Sequence, residues 1–148
     1  EPDSIGPLPD GGLPQRFYAL AGRPIMVTRT NDGGADLFAM ERETGAFLPA
    51  RDLWTRLREG SIDLDEIDEA RFREIGREWR RHAMEARTSR TVTWEETGRA
   101  EYPLRALLDG HETLIRINDF PDEPLLSVIV AGQSVGELED WPPAWRKP

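Results

Sequence analysis

Gly132-Gln133-Ser134-Val135-Gly136 reads G-x-S-x-G. That spacing holds a nucleophilic serine on a sharp strand-to-helix turn in α/β-hydrolases, with an acid and a histidine following it along the chain. Val128-Ile129-Val130 supplies the preceding strand. Only fourteen residues follow Ser134, and none is histidine. Glu137 to Asp140 runs straight into Trp141-Pro142-Pro143, so no helix can follow the serine. The pattern predicts a hairpin turn built from small residues.

Asp63-Leu64-Asp65-Glu66-Ile67-Asp68, with Glu74, places carboxylates where a calcium loop has its first, third and last ligands. The fifth position is Ile67, and the sixth, where the sharp turn needs glycine, is Asp68. Acids leading into a helix N-terminus, where the helix dipole favours them, explain the run better. His82 and His111 are the two histidines, and neither sits in a spaced ligand set such as H-E-x-x-H. Glycoside chemistry needs two carboxylates a fixed distance apart, and nothing in the sequence selects a pair. No glycine cluster opens a helix to cradle phosphate. The chain has no cysteine, which removes thiol catalysis, disulfides and thiolate metal sites. The residues therefore predict no catalytic set, no metal and no cofactor.

What remains is a charge pattern. Net charge is −9. Residues 91–148 hold eleven acids against five bases, and the run Ile117–Trp145 holds six acids and no base. Two segments there, Asn118 to Pro124 and Glu139 to Trp145, combine acids, prolines and aromatics. Proline stiffens both, which lowers the entropy lost when they are ordered against a partner. Tryptophan is enriched at interface hot spots. This composition repels nucleic acid and steers a basic partner inward. The candidate partner-binding residues are Asp119, Asp122, Glu123, Glu137, Glu139, Asp140 and Trp145. The competing arrangement folds Phe120, Trp141 and Trp145 back over the core of the C-terminal sheet, with Trp141 the more buried of the two tryptophans.

These residues must be held by elements that the patterning defines. Residues 1–14 carry four prolines and three glycines and read as a flexible tail or linker. Residues 15–148 read as a single α+β domain, with a possible division into 15–90 and 91–148 at a hinge over 86–90. Phe17 to Leu20, Ile25 to Thr28, Asp36 to Met40 and Ala46 to Leu48 form an antiparallel meander. Its turns fall at Gly22-Arg23, at Asn31-Asp32-Gly33-Gly34, the strongest hairpin signal in the chain, and at Glu43-Thr44-Gly45. Arg51 to Glu59 predicts a short helix stopped by Gly60. Asp68 predicts the N-cap of a long helix, stapled by Ile67 and Phe72, with Phe72, Ile75, Trp79, Ala83 and Ala86 on its apolar stripe. From Thr91 the alternation returns to period two: strands at Thr91–Trp94, Leu104–Leu108, His111–Ile117, Leu125–Val130 and Ser134–Leu138. The fold class is α+β: antiparallel β-meanders flanking one short and one long helix.

The functional expectation is a non-enzymatic acidic protein-binding module that takes a basic protein partner, neither nucleic acid nor membrane. In its sharpest form it is a bacterial, cytoplasmic, immunity-type inhibitor of a basic toxin or enzyme. Two alternatives stand beside it. One is a structural or scaffolding domain of a larger bacterial protein, suggested by the Pro/Gly-rich start and the lack of an initiator methionine. The other is an enzyme with a carboxylate-based or metal-assisted site.

Overall fold

The computed structural model describes residues 13–30, 32–60, 63–119 and 122–148. The fold is α+β, with antiparallel meanders and two helices. The first sheet contains β1 (Leu13–Leu20), β2 (Arg23–Arg29), β3 (Ala35–Met40), β4 (Phe47–Pro49) and β5 (Leu64–Ile67), in the spatial order β4, β3, β2, β1, β5. Between β4 and β5 lie a 3-10 turn (Arg51–Leu53) and α1 (Trp54–Glu59); α2 (Glu69–Ser89) follows β5. The second half holds β6 (Val92–Thr93), β7 (Glu95–Glu96), β8 (Leu104–Leu108), β9 (His111–Ile117), β10 (Leu126–Val130), β11 (Gln133–Leu138) and β12 (Trp145–Arg146). The second sheet runs β11, β10, β9, β8, β7, while β12 and β6 form a short parallel pair.

Three hairpins close with two residues that both have positive φ: Ala21-Gly22, Asp109-Gly110 and Ala131-Gly132. The registers Leu20↔Arg23, Leu108↔His111 and Val130↔Gln133 fix these loops at two residues. Two left-handed residues match the right-handed twist of the flanking strands. The first turn thus lies on Ala21-Gly22 rather than on Gly22-Arg23, because strand twist outweighs the steric cost of a left-handed alanine. The β2–β3 hairpin closes as its sequence predicts, with Thr30 and Gly34 paired through N–H to O at 3.0 Å. Asn31 lies outside the described residues.

Two expectations fail around β1. Leu13 and Pro14 belong to the strand, pairing with Arg29 and Thr28, not to a tail. Pro14 is tolerated because β5 pairs β1 only over Phe17–Leu20, leaving that side of the strand unpaired at Pro14. The acidic run at Leu64–Ile67 is β5, a strand across from β1, rather than a lead-in to the helix or a metal loop. The rest of the predicted 1–14 tail lies outside the described residues.

Both faces of the first sheet are covered. On one, Ile25, Val27, Leu37 and Ala39 pack under Leu53, Trp54 and Leu57 of the 3-10 turn and α1. On the other, Met26, Phe38, Met40 and Phe47 pack against Phe72 of α2, with Phe17, Ile67 and Trp79 around them. Phe72 centres this contact, its ring 4.5 Å from that of Phe17 and 5.4 Å from that of Phe47. Burial of one such side chain contributes about 1.5–3 kcal/mol. Asp68 caps α2 as the sequence predicts, its carboxylate accepting from Arg71 N–H at 2.8 Å.

The helix does not break over 86–90; it continues to Ser89. Its apolar stripe ends differently from the prediction. Ala86 is exposed and Arg87 is buried, because the step of four from Ala83 stays on the inward face. Arg87 is accepted there because it has carbonyls to bond. Its Nη2 donates to Thr44 O at 2.9 Å.

Thr44 belongs to the turn Glu41–Ala46 between β3 and β4, where the two sheets meet. Arg80 Nε donates to Gly45 O at 2.9 Å. Ala46 sits in the core of the second sheet with Val128, Val130 and Val135. Gln133, fully buried, donates from Nε2 to Phe47 O at 2.7 Å and accepts at Oε1 from Phe47 N at 2.8 Å. Its side-chain amide thus acts as one more peptide group between β4 and β11, the edge strands that face each other.

Candidate functional site

The six predicted acidic residues collect at one end of the second sheet, and the register explains why. Leu126 of β10 pairs with Ile117 of β9 and with Leu138 of β11. The loop after β9 and the segment after β11 therefore leave the sheet side by side. Asp119, Asp122 and Glu123 lie on the first; Glu139 and Asp140 lie on the second. Glu137, opposite Ser127, occupies the sheet's outer face beside them. All six are exposed.

The loop is held by its own polar groups. Asn118 N donates to Leu125 O at 3.0 Å, and Glu123 N to Asp119 O at 2.7 Å. The Asn118 side-chain amide donates to Pro124 O at 2.9 Å and to Ser127 Oγ at 2.8 Å, and accepts from Arg116 Nε at 3.0 Å. Arg116 is the cation nearest in register, in one row with Ser127 and Glu137. Among the described residues, none of the six carboxylates forms an ion pair.

Trp145, the seventh predicted residue, is not on this surface. It is 4% exposed, and its indole N–H donates to Arg87 O at 2.9 Å. Its ring lies 4.9 Å from Trp94 and 5.4 Å from Trp141. Trp141 is half-buried, so the expected order of burial is reversed. The reason is backbone pairing: β12 joins β6 through Trp145↔Val92, which draws the last tryptophan into the core although it is near the chain's end. Trp141 covers it from outside, donating to Trp145 O at 3.0 Å, with Lys147 Nζ 5.5 Å from its ring centroid. Trp141 and Trp145 thus fold over the core of the second sheet, while Phe120 lies outside the described residues.

Two residues outside the predicted contact set shape this end. Asn118 sets the loop. Ile117 is 57% exposed although its alternation points it inward, because the sheet stops there. The Asn-Asp-Phe-Pro sequence signals a turn, but no local pattern reveals a strand end that lacks cover.

The remaining candidates resolve into structure. Ser134 is the second residue of β11, after the Ala131-Gly132 turn and Gln133. His111 Nε2 lies 2.9 Å from Glu41 Oε1, a contact between the two sheets. His82 faces Glu85 across one helical turn at 3.8 Å. No set of three or more histidines, aspartates and glutamates among the described residues is arranged to hold a metal. No helix among them is long and apolar enough to cross a membrane.

No protein-family model, curated protein or solved structure matches this chain. The chemistry available at the acidic end is that of carboxylate acceptors on a fixed frame. Such groups take guanidinium and ammonium donors in charge-assisted hydrogen bonds.

Proposed function

We propose that this chain is a non-enzymatic protein-binding module that receives a basic protein partner at the acidic end of its second sheet. The observation that carries the reading is the gathering of Asp119, Asp122, Glu123, Glu137, Glu139 and Asp140 at one sheet end, exposed and without an ion pair among the described residues. Exposed Ile117 adds a small apolar centre to the polar rim. Trp145 is dropped from the contact set because it is buried. The reading in its sharpest form is an immunity-type inhibitor that covers the cationic site of a toxin or enzyme in the cytoplasm, a setting in keeping with a chain that lacks cysteine.

The test is a paired capture. The native chain and a variant with the six acids changed to Asn or Gln are immobilised side by side and exposed to host lysate. The reading expects a basic protein on the native chain and not on the variant. The same proteins on both surfaces would end it.

A further inference from the structure

We propose that Met84 is a peroxide-sensitive modification site, and that its sulfoxide loosens the contact between α2 and β11. The chain has three methionines. Met26 and Met40 lie in the first sheet's core at 0% and 1% exposure. Met84 is half-buried, at the margin of the second core. Access of oxidant therefore separates it from the other two.

Its surroundings make the modification consequential. The Met84 side chain packs directly on the backbone of Gly136 in β11. A Cβ at that position would collide with both Sδ and Cγ, so glycine is what lets helix and strand approach. On another side, Arg87 Nη1 donates to Met84 Sδ at 2.8 Å, while Nη2 of the same guanidinium holds Thr44 O. Arg87 is 4% exposed, and among the described residues it forms no ion pair; Asp109 supports its charge only from a longer distance. Burial pushes its pKa down to about 10, still high enough to keep it charged at neutral pH.

In the reaction, a lone pair on Sδ attacks one oxygen of hydrogen peroxide. The S–O bond forms as the O–O bond breaks, sulfur loses two electrons, and the proton of the attacked oxygen passes to the second oxygen, which leaves as water. The product places a strong hydrogen-bond acceptor where a weak one stood. It draws on the Nη1 that faces Sδ and so pulls on the guanidinium whose Nη2 holds Thr44 O, and it adds an atom where Gly136 leaves little space. Both effects act on the junction between the sheets. Methionine sulfoxide is restored by dedicated reductases, so the change is reversible.

The native protein is treated with dilute hydrogen peroxide and followed by peptide mass mapping and thermal unfolding. Met84 should gain one oxygen well before Met26 or Met40. The oxidised protein should melt roughly 5 °C lower, as overpacking of this kind predicts for a chain of this length. Methionine sulfoxide reductase should restore the midpoint. Met84→Leu should remove the sensitivity with little change in the untreated midpoint. Met84→Gln, which carries a permanent polar group, should lower it without oxidant. Oxidation of Met26 or Met40 as fast as Met84, or an unchanged midpoint once Met84 is oxidised, would overturn the proposal.

Discussion

Helix α2 and the acidic end of the second sheet are both rich in carboxylates, yet they handle them in opposite ways. On α2, Glu69 meets Arg73 at 3.0 Å and Glu74 meets Arg71 at 2.9 Å. Helical spacing supplies these partners automatically, because residues three and four apart share a face. At the sheet end the neighbours come from different strands and loops, and the local sequence from Ile117 to Trp145 offers six acids and no base. The helix therefore pairs Glu69 and Glu74 well within one Debye length, roughly 8 Å at physiological salt, while the sheet end presents a negative field that reaches a partner. The two surfaces differ in net charge as well as in pairing: α2 carries four acids against six arginines, while the run Ile117–Trp145 carries six acids and no base.

Four changes probe that contrast, beginning with the frame that holds the acidic end in place. Trp145→Ala removes a buried ring shared with Trp94 and Trp141. It should cost about 3–5 kcal/mol in denaturant unfolding. A cost below about 1 kcal/mol, the usual range for surface changes, would mean that the last strand is not what fixes Glu139 and Asp140.

Gln133→Leu keeps the volume but strips both bonds to Phe47. It leaves a buried N–H and C=O unpaired, so the expected loss is about 2–4 kcal/mol in the same assay. A neutral result would show that the two sheets do not depend on this side chain for their contact.

The smallest effects bear most closely on the comparison. Glu74→Gln should lower stability by a few tenths, about 0.3 kcal/mol, and the loss should vanish in high salt. Glu139→Gln should do the reverse, leaving stability unchanged or raising it by a similar amount at low salt, since it relieves repulsion instead of breaking a pair. The same sign for both substitutions would erase the distinction between paired and unpaired acids.

Much of the fold was legible because local rules and tertiary structure agree. The Asp68 cap, the Ile67–Phe72 staple, the left-handed Gly110 of the Asp109-Gly110 turn and the positive-φ Gly60 that stops α1 are set by residues within a few positions of each other; Gly60 takes an extended ψ of 160°, not the left-handed helical cap. The misses are long-range. β5 reads as an acidic lead-in because its reason for being a strand is β1, more than forty residues earlier. The stripe reads as ending on Ala86 instead of Arg87 because the carbonyl that accepts Arg87 lies in another turn. Trp145 reads as exposed because its partner strand is β6, far back in the chain. The acidic residues themselves were legible from composition. Their convergence on one end was not, since it follows from the Ile117↔Leu126↔Leu138 alignment.

The central claim is that unpaired negative charge at this end draws in a basic protein. Its most direct test is the association rate of the captured partner, measured across ionic strength for the native chain and for the chain with all six acids neutralised. The native rate should be fast at low salt and fall steeply as salt rises, while the neutralised chain should be slow and nearly flat. Superimposable curves for the two proteins would contradict the account.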